Sequence, residues 1–163
     1  MAKSYIPHYE PAEAKAKELC KDAKTEQEKF DILTKWLARN IYYDGVRALH
    51  LKELLGPDVE RCYKKSMGIC MDVSALAACM FRAVGMTANV VFGNCTSIYT
   101  MHTDYNGTRV YKYGPSWHAW NEIFVDHKKI TWDHFIARKN QNINSANGKL
   151  EWTATYKVSH VRK

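Results

Sequence analysis

Residues 68–85 read GICMDVSALAACMFRAVG. Val73, Leu76, Ala77, Met80, Phe81 and Val84 recur at i, i+3, i+4, i+7, i+8 and i+11, the spacing of an apolar helix face. Gly85 supplies a C-terminal stop. The segment therefore predicts a core helix, buried on one side, with Cys70 in its first turn. At that place unpaired N–H groups and the helix dipole favour negative charge, which lowers a thiol's pKa and sharpens it as a nucleophile. Gly68 lets backbone approach the site closely, and Lys64 and Lys65 offer positive potential. By position alone, Cys70 reads first as a small apolar side chain under the helix end.

Upstream, PAEAKAKELCKDA (residues 11–23) is rich in helix formers, with Pro11 suited to a first turn. Thr25 and Glu28 form a capping box, and Phe30, Leu33, Leu37 and Ile41 follow at helical spacing, so a helix is expected over 26–41. A short helix is expected over Leu49–Leu55, stopped by Gly56-Pro57, and 57–67 reads as a loop or irregular helix.

After Gly85 the periodicity changes. TANVVFGN reads as a strand, and SIYTMHTDYNGTRVYKY as two edge strands about the turn at Tyr105-Asn106-Gly107. WHAWNEIFV and ITWDHF are strands joined by a turn at DHKK. KNQNINSANG (139–148) is a polar loop, and KLEWTATYKVSH is a last strand. Helices first and an antiparallel sheet afterwards give an α+β class.

A thiol nucleophile needs a base, and the base needs an orienting partner. His118 lies in WHAWNEIFV and Asp133 in ITWDHF, two strands predicted to be hairpin neighbours. Positions 118 and 133 are offset by only a few residues, so their side chains are expected to meet on one face. Trp117, Trp120 and Trp132 flank them, as walls of a substrate groove or as ordinary packing. Asn121 and Glu122 are accounted for by strand pairing.

GICMDVSALAACMFRAVGMTANVVFG, HAWNEIFV and ITWDHF together resemble the three signature blocks of the transglutaminase-like superfamily. EKFDILTKWLARNIYYD is similar to the helix ending in Tyr-Asp that precedes the Cys block. The resemblance covers roughly residues 13–136. It implies a papain-like core, with N-terminal helices and the nucleophile-bearing helix packed on an antiparallel sheet. It also implies a triad of Cys70 as nucleophile, His118 as general base and later acid, and Asp133 as orienting group. The oxyanion would be met by the Cys70 backbone N–H, with Tyr43 as side-chain candidate. One departure stands out: where the family often has Asp-Pro-Thr, this chain has Asp133-His134-Phe135.

The resemblance implies a thiol-dependent acyl-transfer enzyme acting on peptide or glutamine-type amides through a thioester. A peptidase or amidase is favoured for a small bacterial-type domain, since no feature identifies an amine site. The alternatives are a protein-crosslinking transglutaminase, a non-catalytic protein-binding module, and transfer from a small thioester donor as in arylamine acetyltransferases.

Composition bounds these expectations. With 163 residues and 46% hydrophobic content, the chain reads as a single globular domain over 1–163, whether on its own or excised from a longer protein. No apolar run approaches the roughly 20 residues of a membrane span, and no signal-peptide core is visible in this stretch. Location is left open, being cell-surface or secreted if a longer precursor exists. The 24 Lys and Arg intermix with 17 acids, so the net charge of +7 reads as a solvated basic surface, and no nucleic-acid partner is expected. Cys20, Cys62, Cys70, Cys79 and Cys95 lack zinc-site spacing, and His102, His127, His134 and Asp126 lack helical ligand spacing. No metal or other cofactor is expected. The expected partner is a protein or peptide substrate, taken by a monomer.

Overall fold

Polar side chains, those of Thr25, Asp44 and Asp58, cap three of the described helices. The computed structural model describes residues 8–50, 56–95, 99–103, 109–113, 116–134 and 152–158. Helix α1 spans Glu10–Leu19, with Pro11 in its first turn. Helix α2 spans Glu26–Asn40, and its Thr25 cap accepts the Glu28 N–H at 3.1 Å. Ile41, at the end of the expected helix, is the C-cap in extended conformation.

The segment between α2 and Cys70 is more regular than the sequence suggested. Strand β1, Tyr42–Tyr43, pairs in parallel with β2, Met67–Gly68, an element absent from the sequence reading. Helix α3 is Gly45–Leu49, ending where the 49–55 helix is expected to begin; it starts early because Asp44 caps it by accepting the Arg47 N–H at 2.9 Å. Residues 51–55 lie outside the described residues. The stretch expected to be irregular contains α4, Val59–Lys65, capped by Asp58 through the Arg61 N–H.

Helix α5, Cys70–Ala83, is buried on all sides rather than on one: every residue from Asp72 to Phe81 is buried. Helices α1, α2 and α4 pack on it, as do strands β3 (Ala88–Cys95) and β6 (Ser116–Val125). Ala75, Ala77 and Ala78 allow close approach where larger side chains would hold the layers apart. Leu33, Leu37, Val73, Leu76, Met80 and Phe81 are fully enclosed, each contributing about 1.5–3 kcal/mol by leaving water.

The main sheet is antiparallel, ordered β7-β6-β3-β8, with β7 at Lys128–Trp132 and β8 at Trp152–Val158. Strands β4 (Tyr99–Thr103) and β5 (Arg109–Tyr113) do not edge it; they form a separate two-stranded sheet, with β4 beside β1. The expected 105–107 turn and the 139–148 loop lie outside the described residues.

The β6–β7 hairpin is the element that decides the site's register. Val125 pairs with Lys128, leaving Asp126 and His127 as a two-residue turn with φ of 51° and 66°. Two left-handed residues match the type I′ geometry that suits twisted strands, for which Asp-Gly is a preferred sequence. A histidine Cβ is strained there, so His127→Gly is expected to raise stability by about 0.5–1 kcal/mol, or about 1–4 °C in melting temperature. A thermal melt with no rise would show that the turn carries no such strain.

Candidate active site

The hairpin register brings the imidazole and carboxylate together. Asn121 pairs with Trp132, so continuing the ladder puts Asp133 opposite Trp120 and diagonal to His118. His118 Nε2 and Asp133 Oδ2 lie 2.5 Å apart, both buried. On the other side of β6, His118 is the register partner of Gly93 on β3. A glycine there leaves the place beside the imidazole free of a cross-strand side chain. Trp120 is buried and stacks on the His118 ring, with centroids 6.3 Å apart and planes at 29°.

Cys70 opens α5 and is half-buried, whereas Cys20, Cys62 and Cys79 are buried, all as free thiols. Burial pulls the His118 pKa down, but the charge of Asp133, then that of Cys70, then hydrogen bonds to both, push it up to about 10. With Nε2 turned to Asp133, Nδ1 is the ring nitrogen left for exchange with a reacting group. His118 is therefore expected to remain doubly protonated at pH 8, as read by ring nitrogen NMR shifts. In Asp133→Asn the carboxylate's pull is lost while burial stays, so the titration midpoint is expected to fall by about one unit or more. An unmoved midpoint would disprove that electrostatic account.

Tyr43 is held beside the same thiol by the β1–β2 pair, in which it is the partner of Gly68. Its pKa is raised to about 12, by burial first and then by the charges of Cys70 and Asp44. The phenol thus keeps its proton, and its power to donate, across the working pH range. Trp117 lies in β6, but its side chain is outside the described residues. Lys64 projects to the surface and pairs with Glu60 at 2.5 Å, away from the role of polarising Cys70.

Two buried carboxylates to which sequence reasoning gave no role, Asp72 and Asp44, hold these residues in place. Asp72 is buried and takes a two-pronged contact from Arg47, Nε to Oδ2 at 2.7 Å and Nη2 to Oδ1 at 2.9 Å. It also accepts the Ile69 N–H at 2.9 Å and the Asp58 N–H at 2.8 Å, tying α3, α4 and the start of α5 into one unit. Asp44, also buried, receives Arg61 Nη1 at 2.5 Å. Gly68 makes this approach possible: a Cβ there would lie 2.8 Å from Asp72 Cβ and 2.9 Å from Cys62 Sγ.

Asn121, credited only with strand pairing, fastens sheet to helix. Its Nδ2 donates to the Ser74 carbonyl on α5 at 2.8 Å and to the Asn89 carbonyl on β3 at 3.2 Å. The Asp133 end of the hairpin is fixed by His134, whose Nε2 lies 2.8 Å from the Ile41 carbonyl. The sequence signals for these groups are Asp72 three residues after the cap, Asp44 in the Tyr-Asp ending, Gly68 before the thiol, Asn121 in HAWNEIFV, and His134 in place of proline.

A thiol at the start of a central helix, faced by a histidine–aspartate pair on an antiparallel hairpin, is the core of a papain-like α+β protein. A family model described as the transglutaminase-like superfamily matches residues 13–136, and the chain belongs to that superfamily. Solved structures share the fold. A protein of Cytophaga hutchinsonii, provisionally assigned as a cysteine protease, is 14% identical with a TM-score of 0.58, over 90% of this chain and 52% of its own. A structure described as a TGase is 19% identical with a TM-score of 0.55, over 90% of this chain and 34% of its own. A protein of Parabacteroides distasonis, provisionally assigned as a protease, is 17% identical with a TM-score of 0.54, over 76% of this chain and 23% of its own. The chain thus spans between about a quarter and about half of those proteins. No curated protein matches the sequence significantly. Among the described residues, no helix is long and apolar enough to cross a membrane.

Proposed function

We propose that this chain is a thiol-dependent acyl-transfer enzyme acting on peptide or glutamine-type amides, with water as the acyl acceptor. The observation that carries the reading is the buried His118–Asp133 contact, with the charge of Cys70 acting on the same imidazole. In this mechanism the Cys70 thiolate attacks the amide carbonyl carbon, and the carbonyl π electrons move onto oxygen. The Cys70 backbone N–H and the Tyr43 hydroxyl donate to that oxyanion. Collapse breaks the C–N bond, and the His118 imidazolium gives its proton to the departing amine. The neutral imidazole then takes a proton from water as it attacks the thioester, releasing a carboxylic acid and restoring the thiolate. Asp133 keeps Nε2 engaged throughout, so that Nδ1 is the nitrogen that carries the transferred proton.

The test is to incubate wild type and Cys70→Ala with glutamine-containing proteins plus a labelled amine, and to analyse the products by mass spectrometry. Cleavage or deamidation is expected, and only with wild type. Incorporation of the amine would replace hydrolysis by a crosslinking transferase. Loss of all three products across a varied protein panel would leave a non-catalytic binding module.

A further inference from the structure

Strand β7 ends at Trp132, whose partner is Asn121, the last pair of its ladder. Asp133 follows it directly. A carboxylate keeps a buried imidazole in one orientation only as well as its own backbone is held.

His134 helps to hold it. It is buried, its Nε2 lies 2.8 Å from the Ile41 carbonyl, and its ring meets Trp132 edge-on at 5.8 Å. Ile41 is a firm anchor, because its own N–H is bonded to the Leu37 carbonyl at 2.9 Å. Its carbonyl lies at the negative end of α2, where the last carbonyls lack helical partners and a histidine N–H is favoured. From Ile41 the chain passes directly into β1, where Tyr42 N–H bonds the Ser66 carbonyl at 2.9 Å and Asp44 N–H bonds the Gly68 carbonyl at 3.0 Å. Two residues after Gly68 comes Cys70.

These contacts form a closed circuit around the site: Asp133, His134, Ile41, the Tyr43 strand, Gly68, Cys70, His118, and back to Asp133. We infer that His134 is a positioning residue, a latch that ties the Asp133 end of the hairpin to the α2–β1 junction. It thereby fixes the spacing between the carboxylate and the thiol with its Tyr43 donor. The inference rests on the reading of His118 and Asp133 as the working pair of a thiol enzyme. It also accounts for histidine at a place where the family often has a proline, which lacks any N–H to give.

The experiment compares His134→Leu, which has no donor, with His134→Gln, whose amide reaches the Ile41 carbonyl. Three quantities are read in each: the His118 ring-nitrogen titration, the thermal midpoint, and kcat and KM on a cleaved peptide. His134→Leu is expected to lower kcat by about 10- to 100-fold with KM within twofold, as displaced catalytic groups do. Its His118 midpoint is expected to fall by about one pH unit or more as Asp133 loses its aim. His134→Gln is expected to restore both to near wild type. A merely structural histidine would lower the thermal midpoint and leave the His118 titration unmoved, and that result overturns the inference. Should the leucine variant not fold, His134→Asn, too short to reach Ile41, gives the same comparison. The titration needs no turnover, so an inactive wild type would sink the acyl-transfer reading while His134 is still judged. Cys70-dependent turnover with an unmoved titration would sink the latch alone.

Discussion

Cys70→Ala is expected to lose amide turnover by about 10⁴-fold or more, roughly 5.5 kcal/mol of transition-state stabilisation. The size follows from the division of labour. Donors such as Tyr43 and the α5 backbone stabilise charge that exists only after a nucleophile has attacked, so without sulfur they have little to act on. His118→Gln should cost about 10²–10⁴-fold, the usual scale for a positioned acid or base. The double variant should be no worse than Cys70→Ala, because residues that serve one step are not additive. Folding should survive, since Cys70 is small and half-buried. Cys79, on the same helix, is the control: burial pushes its thiol up to about 11, and the group is inert at neutral pH. Cys62 is pushed well above the ordinary value, also by burial, and Cys20 is raised for the same reason. Iodoacetamide near neutral pH should therefore label Cys70 at least about tenfold faster than these three, and Cys79→Ala should keep its turnover. Retention of more than a tenth of the activity in Cys70→Ala would end the nucleophile assignment.

Residues whose chemistry repeats along the chain were legible before any coordinates. The apolar period of α5, the Thr25 cap and the change to β-rich segments after Gly85 are local patterns, and each corresponds to an observed element. His118 and Asp133 could be paired because a hairpin converts sequence offset directly into cross-strand distance. What stayed hidden depends on contacts between distant segments. Arg47 and Asp72 are 25 residues apart, and nothing periodic links them. His134 and Ile41 are 93 apart. The two-residue strands β1 and β2 carry no alternation long enough to read, though they place Tyr43 beside the thiol. One-sided burial of α5 was inferred from one clean apolar stripe. The alanines and polar caps on its other faces are enclosed as well, since the first half of the chain wraps the helix.

Arg47→Ala should be the most destabilising single change near the site, costing about 3–5 kcal/mol. Asp72 is 1% exposed, so removing its guanidinium partner leaves a buried carboxylate facing only backbone donors. For a protein of this size the loss corresponds to a melting temperature lower by roughly 10 °C. Asp72→Asn should also destabilise, for a different reason. An amide has one acceptor oxygen for the Ile69 and Asp58 N–H groups, and its NH₂ turns toward a donor or toward Arg47. The effect reaches function through electrostatics as well as stability. Asp72 lies in the first turn of α5, where an uncompensated negative charge would oppose a thiolate at Cys70. Arg47 neutralises that charge while leaving the Asp72 oxygens free to fix the backbone that presents the thiol. Arg47→Ala protein, assayed well below its melting temperature, should therefore alkylate Cys70 more slowly than wild type at neutral pH, with the rate recovering as pH rises. Chemical denaturation and a pH series of alkylation separate the two consequences. A variant melting within about 2 °C of wild type would show that the Arg47–Asp72 pair is peripheral to the fold. Unchanged alkylation in a destabilised variant would limit the pair to holding α3, α4 and α5 together.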